Sequence, residues 1–308
     1  MEEKIAVIGG GPAGIIAAGT AAQRGKIVTL FERNNFLGKK LLITGGGRCN
    51  ITNLCSIEAL IENVVTNKEF LYSAFYTFTN EDIINLLNKY GLETKIEATN
   101  RVYPKSNKSA DVLNAFLRYL EDYNVNIKLN SEIVNIVKDK HGKFILFFKD
   151  ENKAYFDKVI IATGGKTYTQ TGSTGAGYVF AKKFGHTIEK LKPSLVPLEI
   201  KENWTHKLQG LSLSNVKLNA YICNKKINEE IGDLIFTHYG ISGPVVLRMS
   251  NYLNKYDNEN IKLKLDLKPS ISIEELNKKL IKLFNDNSKK HLKNCLNILL
   301  PNRMIDVI

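Results

Sequence analysis

A glycine-rich stretch near the amino terminus carries residues whose types and spacing suit one kind of chemistry. Residues 9–14 read Gly-Gly-Gly-Pro-Ala-Gly and separate a short apolar run from an alanine-rich run. This order predicts a strand, a tight turn and a helix, because Gly9 permits the turn, Gly11 lets the backbone approach a diphosphate, and Gly14 lets the helix pack against the strand. The first amides of such a helix point at the phosphates, where the helix dipole favours negative charge.

An acidic residue follows these glycines at the spacing of a ribose contact. A second apolar run, residues 27–31, reads as a strand and ends at Glu32. In a dinucleotide-binding βαβ unit, an acid about 20 residues after the glycines accepts hydrogen bonds from a ribose. The pattern predicts a dinucleotide site without separating FAD from NAD, and a glycine-rich turn that holds no ligand is the alternative.

A second loop with unusual chemistry reads Gly-Gly-Gly-Arg-Cys-Asn over residues 45–50. Backbone amides beside the cation of Arg48 and the amide of Asn50 suit a phosphate or an electron-rich ring edge, and a flexible loop is the alternative. Cys49 has no partner at C-x-x-C spacing, so we expect it to pack and not to act as a redox thiol. We find no metal-ligand spacing and predict no metal site.

Composition bounds the classes of function that the chain can have. It has 308 residues, 44% hydrophobic and 24% charged, which is typical of a globular protein of one or two domains. The net charge of +12 is spread without a block of five or six like charges, so we do not expect a nucleic-acid partner. Few cysteines, an acidic start and short apolar runs predict a cytoplasmic protein without a membrane partner.

The elements after Glu32 predict the fold class. A long excursion is followed by a β-meander and a return strand that ends in Ala-Thr-Gly-Gly, where a plain NAD domain would have a crossover helix. This arrangement resembles that of two-domain FAD flavoproteins of the glutathione-reductase type. The resemblance implies an α/β protein: a glutathione-reductase-type FAD-binding Rossmann domain with a β-meander over residues 1–191, and a mixed, β-rich substrate or cap domain over residues 192–308. The predicted strands are 125–129, 133–137, 143–148, 153–156, 158–162, 211–223, 234–237 and 261–267, and the predicted helices are 81–90, 110–120, 178–184, 272–284 and 288–299.

These motifs resemble a bacterial family of FAD-dependent oxidoreductases marked by the Gly-Gly-Gly-Arg-Cys-Asn loop. Its members are described as aminoacetone-oxidase-like or as flavin reductases that act on dehydro bile acids. The chain departs from the family at Ala176, where an acid is usual. Family members also continue beyond the position of Ile308 into a segment with a Gly-Gly-Tyr-Asn loop, so the resemblance implies that this chain lacks that segment. The matching segments are 7–14, 40–53, 101–104, 162–165, 171–175, 193–198 and 235–244.

The resemblance also implies which residues contact FAD. The glycine turn would hold the diphosphate, Glu32 would hold the adenosine ribose, and a backbone group of the meander would meet the adenine. Other residues would lie on the flavin side or close over the cofactor. The implied contacts are Gly9, Gly11, Pro12, Ala13, Gly14, Glu32, Arg33, Lys40, Arg48, Asn50, Ile133, Thr163 and Gly164. Residues 166–177, rich in Thr, Ser and Gly, follow a strand's carboxyl end, which is where ligands bind in open α/β sheets.

Two side chains are candidates for proton transfer. His238 lies between a predicted strand and a glycine-containing turn, where it either pins the turn or donates a proton to a substrate. Tyr168 is a candidate of the same kind. We expect an FAD-dependent oxidoreductase that transfers a hydride between a small organic substrate and the flavin.

The electron partner and two other functions stay open at this point. Because a second G-x-G-x-x-G is absent, NAD(P)H as the electron donor would dock transiently against the flavin; the alternative electron partner is dioxygen, as the oxidant. One alternative function is that of a flavin-dependent RNA-modifying protein, which the positive charge suggests. The other is that of a non-catalytic FAD-binding remnant. The sequence predicts no particular oligomeric state.

Overall fold

The computed structural model describes residues 2–256 and 260–307, so the terminal Ile308 lies outside the described residues. The chain divides into two compact units, Met1–Glu189 and Lys190–Ile308. Within the described part, no helix combines the length and the apolar character that a bilayer crossing requires.

The first unit alternates strands and helices around a parallel sheet. Short 3₁₀ turns occupy Leu41–Gly47, where Thr44, Gly45 and Gly46 leave the helical region. The strands are β1 (Lys4–Ile8), β2 (Ile27–Phe31), β3 (Thr52–Asn53), β4 (Thr94–Glu97), β5 (Arg101–Pro104), β6 (Asn126–Lys128), β7 (Ile133–Lys138), β8 (Phe144–Phe148), β9 (Lys153–Phe156) and β10 (Lys158–Ile161). The helices are α1 (Pro12–Gln23), α2 (Ile57–Glu62), α3 (Tyr72–Thr77), α4 (Asn80–Lys89), α5 (Ser109–Asp122) and α6 (Ala176–Lys183).

The parallel sheet has the strand order β10-β1-β2-β6. β1 lies between two partners, and its Val7 aligns with Leu30 of β2 and with Ile160 of β10. Val7 and Leu30 are completely buried, as the near-continuous apolar runs of an internal parallel sheet require. Because all these pairings are parallel, the carboxyl ends of β1, β2 and β10 lie at one edge of the sheet.

The predicted meander is present as an antiparallel sheet, β7-β8-β9. It packs on the main sheet through Phe31, whose ring centroid lies 5.2 Å from that of Phe148 and 5.7 Å from that of Phe156. The structure also contains a small sheet, β3-β5-β4, of which only the extended run 101–104 was predicted. Its partner strands have two and four residues, too few for a periodic pattern to be read.

The second unit is a five-stranded antiparallel sheet with helices. The strands are β11 (Leu198–Glu199), β12 (Ser212–Ile222), β13 (Lys225–Phe236), β14 (Gly240–Ser242) and β15 (Ile261–Asp266), and the helices are α7 (Pro244–Leu253), α8 (Ile273–Asp286), α9 (Leu292–Leu296) and α10 (Asn302–Ile305). The sheet order is β11-β14-β13-β12-β15. The core of this unit forms where α7 packs on the sheet, around the fully buried Val245 and Met249.

The predicted architecture is confirmed: a Rossmann-type parallel sheet with a β-meander is followed by a β-rich unit. Two element predictions for the second unit were wrong in extent. β13 begins nine residues earlier than predicted, at Lys225, because the polar residues on its outer face hide the strand. Of the helix predicted over 288–299, the structure contains only the five residues of α9. Turns precede and follow α9, so that Leu299 lies beyond its end.

Candidate functional site

The turn between β1 and α1 can be built only with glycine at two positions. Gly9 has a φ of +110°, and a Cβ there would lie 2.4 Å from the carbonyl oxygen of Ala162, just after β10. A Cβ on Gly14 would lie 1.8 Å from the carbonyl oxygen of Gly9. Both contacts are far inside van der Waals distance, so a side chain would force the strands and α1 apart.

The third glycine of the turn has the opposite surroundings. A Cβ on Gly11 would meet no atom within 4 Å. Gly11 is the N-cap of α1 with an extended conformation, φ −80° and ψ 176°, and it caps the helix with no side chain. The first turn of α1 contains no acid, so its positive end lies beside open space without a counter-charge from the helix itself. An anionic ligand fits there.

That open space belongs to a cavity of about 550 Å³ within the first unit, which is the size class of ligand sites in proteins. Its walls come from the carboxyl ends of β1 and β2, the segment after β2, the start of β7, and the segment from β10 into α6. Most of the predicted cofactor contacts lie in this lining: Gly9, Gly11, Pro12, Ala13, Glu32, Arg33, Lys40, Ile133, Thr163 and Gly164.

Three predicted contacts lie outside the lining. Gly14 packs behind the turn, as described above. The Arg48 guanidinium lies 4.2 Å from the centre of the Tyr103 ring and forms an ion pair with Glu97. The Asn50 amide, oriented to suit its neighbours, donates to backbone carbonyl oxygens of the small sheet. Their assignment to the cofactor therefore stays a prediction.

Glu32 is buried, with 7% of its surface exposed, and both its carboxylate oxygens accept hydrogen bonds. Oε2 accepts from the Gly10 backbone N–H at 2.7 Å. Oε1 accepts from the backbone N–H of Asn34 at 2.8 Å and from its side-chain Nδ2 at 2.7 Å. A carboxylate offers about four lone-pair sites, so these three bonds leave one acceptor site, on Oε2, for a ligand hydroxyl.

The residues after β10 form a wall of the cavity that side chains from the segment after β2 hold in place. Lys40 Nζ donates to the carbonyl oxygen of Thr167 at 2.7 Å, and Arg33 Nη1 donates to Thr174 Oγ1 at 3.1 Å. Arg33 Nη2 also pairs with Glu132 at 2.6 Å. The Thr-, Ser- and Gly-rich composition of residues 166–177 pointed to this wall, although no residue within 166–177 was predicted as a cofactor contact.

Asn34 is a lining residue that sequence reasoning missed. Besides its bonds to Glu32, its Nδ2 donates to the carbonyl oxygen of Thr171 at 3.1 Å. In the sequence it is one of two asparagines in a polar turn, a common turn residue, and Thr171 is 137 positions away. Only the folded structure shows that Asn34 contacts both Glu32 and Thr171.

Cys49 is a free cysteine with 5% of its surface exposed, and it belongs to the core of the first unit. Burial raises the pKa of its thiol, and a hydrogen bond with the Thr44 side chain acts in the opposite direction. The net raised pKa keeps the thiol protonated near neutral pH, which is unfavourable for a nucleophile. Among the described residues, no cluster of three or more His, Cys, Asp or Glu could hold a metal ion.

The two candidates for proton transfer lie in different units. Tyr168 is 62% exposed, in a left-handed conformation within the wall segment after β10. His238 is exposed between β13 and β14, and its ring meets that of Tyr239 edge-on at 4.5 Å. The carbonyl oxygen of His238 accepts a hydrogen bond from His206 Nδ1. Both side chains are accessible, and their catalytic role stays a prediction.

Comparison with known proteins places the chain in a family. The model of the HI0933-like protein Rossmann domain matches residues 3–290. The ribosomal RNA dihydrouridine synthase of Haemophilus influenzae is 31% identical over 306 residues, which cover 98% of this chain and 72% of that protein. The 3-dehydro-bile acid delta(4,6)-reductase of Clostridium scindens is 31% identical over 281 residues, 89% of this chain and 67% of that protein.

Among solved structures, the open conformation of a flavocytochrome c3 fumarate reductase matches 69% of this chain and 47% of its own, with a TM-score of 0.49 and 18% identity. The family assignment comes from the domain model and the two sequence relatives, which together span almost the whole chain. The chain therefore belongs to the HI0933-like family of FAD-dependent oxidoreductases with a Rossmann domain.

Proposed function

We propose that this chain is an FAD-dependent reductase that adds a hydride to an electron-poor carbon–carbon double bond of a small organic substrate, with NAD(P)H as the electron source. The observation that supports FAD binding is the environment of Gly11. This residue is the N-cap of α1, it has no side chain, and it faces the open space of the cavity. The names of two relatives, a dihydrouridine synthase and a delta(4,6)-reductase, both denote saturation of a carbon–carbon double bond.

The residues of the cavity have distinct roles in this proposal. The amides of the turn and the start of α1 hold the diphosphate, and the free acceptor site of Glu32 orients a ribose hydroxyl. The Lys40 ammonium group, which donates a hydrogen bond to the carbonyl oxygen of Thr167, places positive charge in the lining of the cavity beside the wall segment. FAD, when bound, supplies hydride transfer through N5 of its ring system. Tyr168 or His238 would donate the proton that completes saturation of the substrate.

Absorption spectroscopy of the purified protein tests this function. We expect a yellow protein whose visible flavin absorption is bleached anaerobically by NADH or NADPH and restored by an enone substrate. Tyr168→Phe and His238→Gln separate the steps: loss of the proton donor slows restoration by the enone and leaves bleaching unchanged. A protein that takes up no FAD contradicts the proposal, and a yellow protein that is never bleached favours a non-catalytic FAD-binding remnant.

In a second candidate function, the double bond that is reduced belongs to a uridine base of RNA. Two observations favour it: the H. influenzae relative is named for ribosomal RNA, and the chain carries a net charge of +12. Binding of a ribosomal RNA fragment should then weaken steeply with salt, because each phosphate contact releases counterions. Nucleoside analysis of the treated RNA would reveal dihydrouridine. Absence of RNA binding at low salt would dismiss this candidate and leave the reductase proposal intact.

A further inference from the structure

Asn34 connects two walls of the cavity through one side-chain amide. Its Nδ2 lies 2.7 Å from Glu32 Oε1 and 3.1 Å from the carbonyl oxygen of Thr171, so both amide protons have acceptors. Its Oδ1 accepts from Lys39 Nζ at 3.4 Å. The half-buried Asn34 side chain therefore has a partner for each of its polar atoms, in a position that lines the cavity.

The wall segment packs closely around this amide. Gly172 has a φ of +102°, and a Cβ there would lie 2.7 Å from Asn34 Nδ2. The Asn34 side chain thus occupies the space beside Gly172, and its bond to Thr171 fixes the neighbouring carbonyl.

The orientation of the Glu32 carboxylate depends on both of its anchors. The Gly10 amide holds Oε2, and Asn34 holds Oε1 with two N–H groups. Removing the Asn34 side chain leaves Oε1 with the backbone N–H alone and frees the carboxylate to turn about the Oε2 contact. The remaining acceptor site on Oε2 would then point in a less defined direction.

We propose that Asn34 is a positioning residue that sets the affinity for the adenosine diphosphate half of the cofactor by orienting Glu32. This inference rests on the proposed FAD binding. Asn34 itself needs no direct contact with the ligand. It acts through Glu32, and the loss of its side chain should weaken nucleotide binding only while Glu32 is present.

A double-mutant cycle read by calorimetry tests the inference, with ADP as the probe because ADP lacks the flavin. We expect Asn34→Ala to lower the affinity of the full chain for ADP and FAD by about tenfold, as for one lost hydrogen bond to a charged group. In a Glu32→Ala background, Asn34→Ala should cause no further loss. Asn34→Asp, which keeps the size of the side chain but replaces the donor with a charge, should also weaken ADP binding.

Asn152→Ala is the matched control. Asn152 donates to the carboxylate of Asp150, two residues before it, through its backbone N–H at 3.3 Å and its Nδ2 at 2.8 Å, in the turn between β8 and β9. We expect unchanged ADP affinity for this variant. Equal affinity of the wild type and Asn34→Ala overturns the inference, as does the same loss in both Glu32 backgrounds. If the wild type binds neither ADP nor FAD, the proposed function itself fails.

Discussion

Gly11 is the N-cap of α1 and Gly14 lies in its first turn, but an added side chain would have different effects at the two positions. Gly11→Val adds atoms that project into the cavity and meet nothing in the protein, so the apoprotein should lose about 1 kcal/mol or less, the cost of a poorer N-cap. FAD binding should be abolished, because the side chain fills the space of the diphosphate. Visible absorption after incubation with FAD and the melting temperature of the apoprotein measure the two effects.

Gly14→Ala is the matched variant, and here we expect the apoprotein itself to be destabilised. The added methyl group would lie 1.8 Å from the Gly9 carbonyl oxygen, so α1 must move away from β1. Overpacking of this kind costs about 1–3 kcal/mol or more. Chemical denaturation of the apoprotein should show this loss. A Gly14→Ala protein as stable as the wild type, or a Gly11→Val protein that is still yellow, would contradict the geometry of the turn.

We expect Glu32 to contribute both to FAD affinity and to the stability of the apoprotein. Glu32→Ala should weaken FAD binding by about 1–3 kcal/mol, through loss of a hydrogen bond to a charged acceptor. It also leaves the Gly10 N–H without its partner, so the apoprotein should lose a similar amount. Fluorescence titration and urea denaturation separate the two quantities. Unchanged FAD affinity would remove Glu32 from the ribose contact.

At the scale of elements, the amino terminus of α4 makes the stability of the first unit depend on pH. Thr79 and Asp82 form a capping box: Thr79 Oγ1 accepts from the Asp82 N–H at 3.1 Å, and Asp82 accepts from the Thr79 N–H at 2.7 Å. The Asp82 carboxylate accepts hydrogen bonds from the Thr79 backbone N–H and, at 2.8 Å, from the Thr79 hydroxyl, and these two bonds, the backbone one first, lower the pKa of Asp82. A carboxyl with a lowered folded pKa stabilises the fold above its unfolded pKa and loses that contribution as the pH falls through the folded value.

Thr79→Ala removes the acceptor for the N3 amide and one of the two bonds to Asp82. At neutral pH it should destabilise the protein by about 1 kcal/mol, a usual value for a lost N-cap. The difference in stability between the variant and the wild type should narrow as the pH falls through the lowered pKa of Asp82, because the carboxyl of the folded protein then becomes protonated. Urea denaturation midpoints of both proteins, measured from neutral pH to acidic pH, test this prediction. A gap that is independent of pH would show that the Asp82 bond contributes nothing.

Elements with strong local signals could be predicted from the sequence. β2 was predicted residue for residue at 27–31, and the meander within one residue at each end, because apolar runs bounded by turn residues identify them. α7 was missed, although Gly243 and Pro244 mark its start. The network of Asn34 with Thr171 was beyond prediction, since it joins loops that no periodic pattern relates.

At the scale of the whole molecule, the two units suggest a test of the domain boundary. We propose that residues 1–191 form the FAD-binding domain and residues 192–308 the substrate or cap domain. All lining residues of the cavity, from Ile8 to Phe180, lie in the first unit. A fragment of residues 1–191 should therefore fold and bind FAD with the affinity of the full chain. Calorimetry of both proteins measures this, and a fragment that is folded but does not bind would overturn the boundary.

The strand order of the main sheet has a consequence for biosynthesis. β1 is completed by β10, about 150 positions later along the chain, and the lining of the cavity ends only at Phe180 in α6. A growing chain that stops short of this helix has the glycine turn between β1 and α1 but no closed cavity beside it. We therefore expect capture of the vitamin-derived cofactor only after translation of nearly the whole first unit. Since a ligand that binds only the finished fold stabilises it, cells short of riboflavin should accumulate less of this protein.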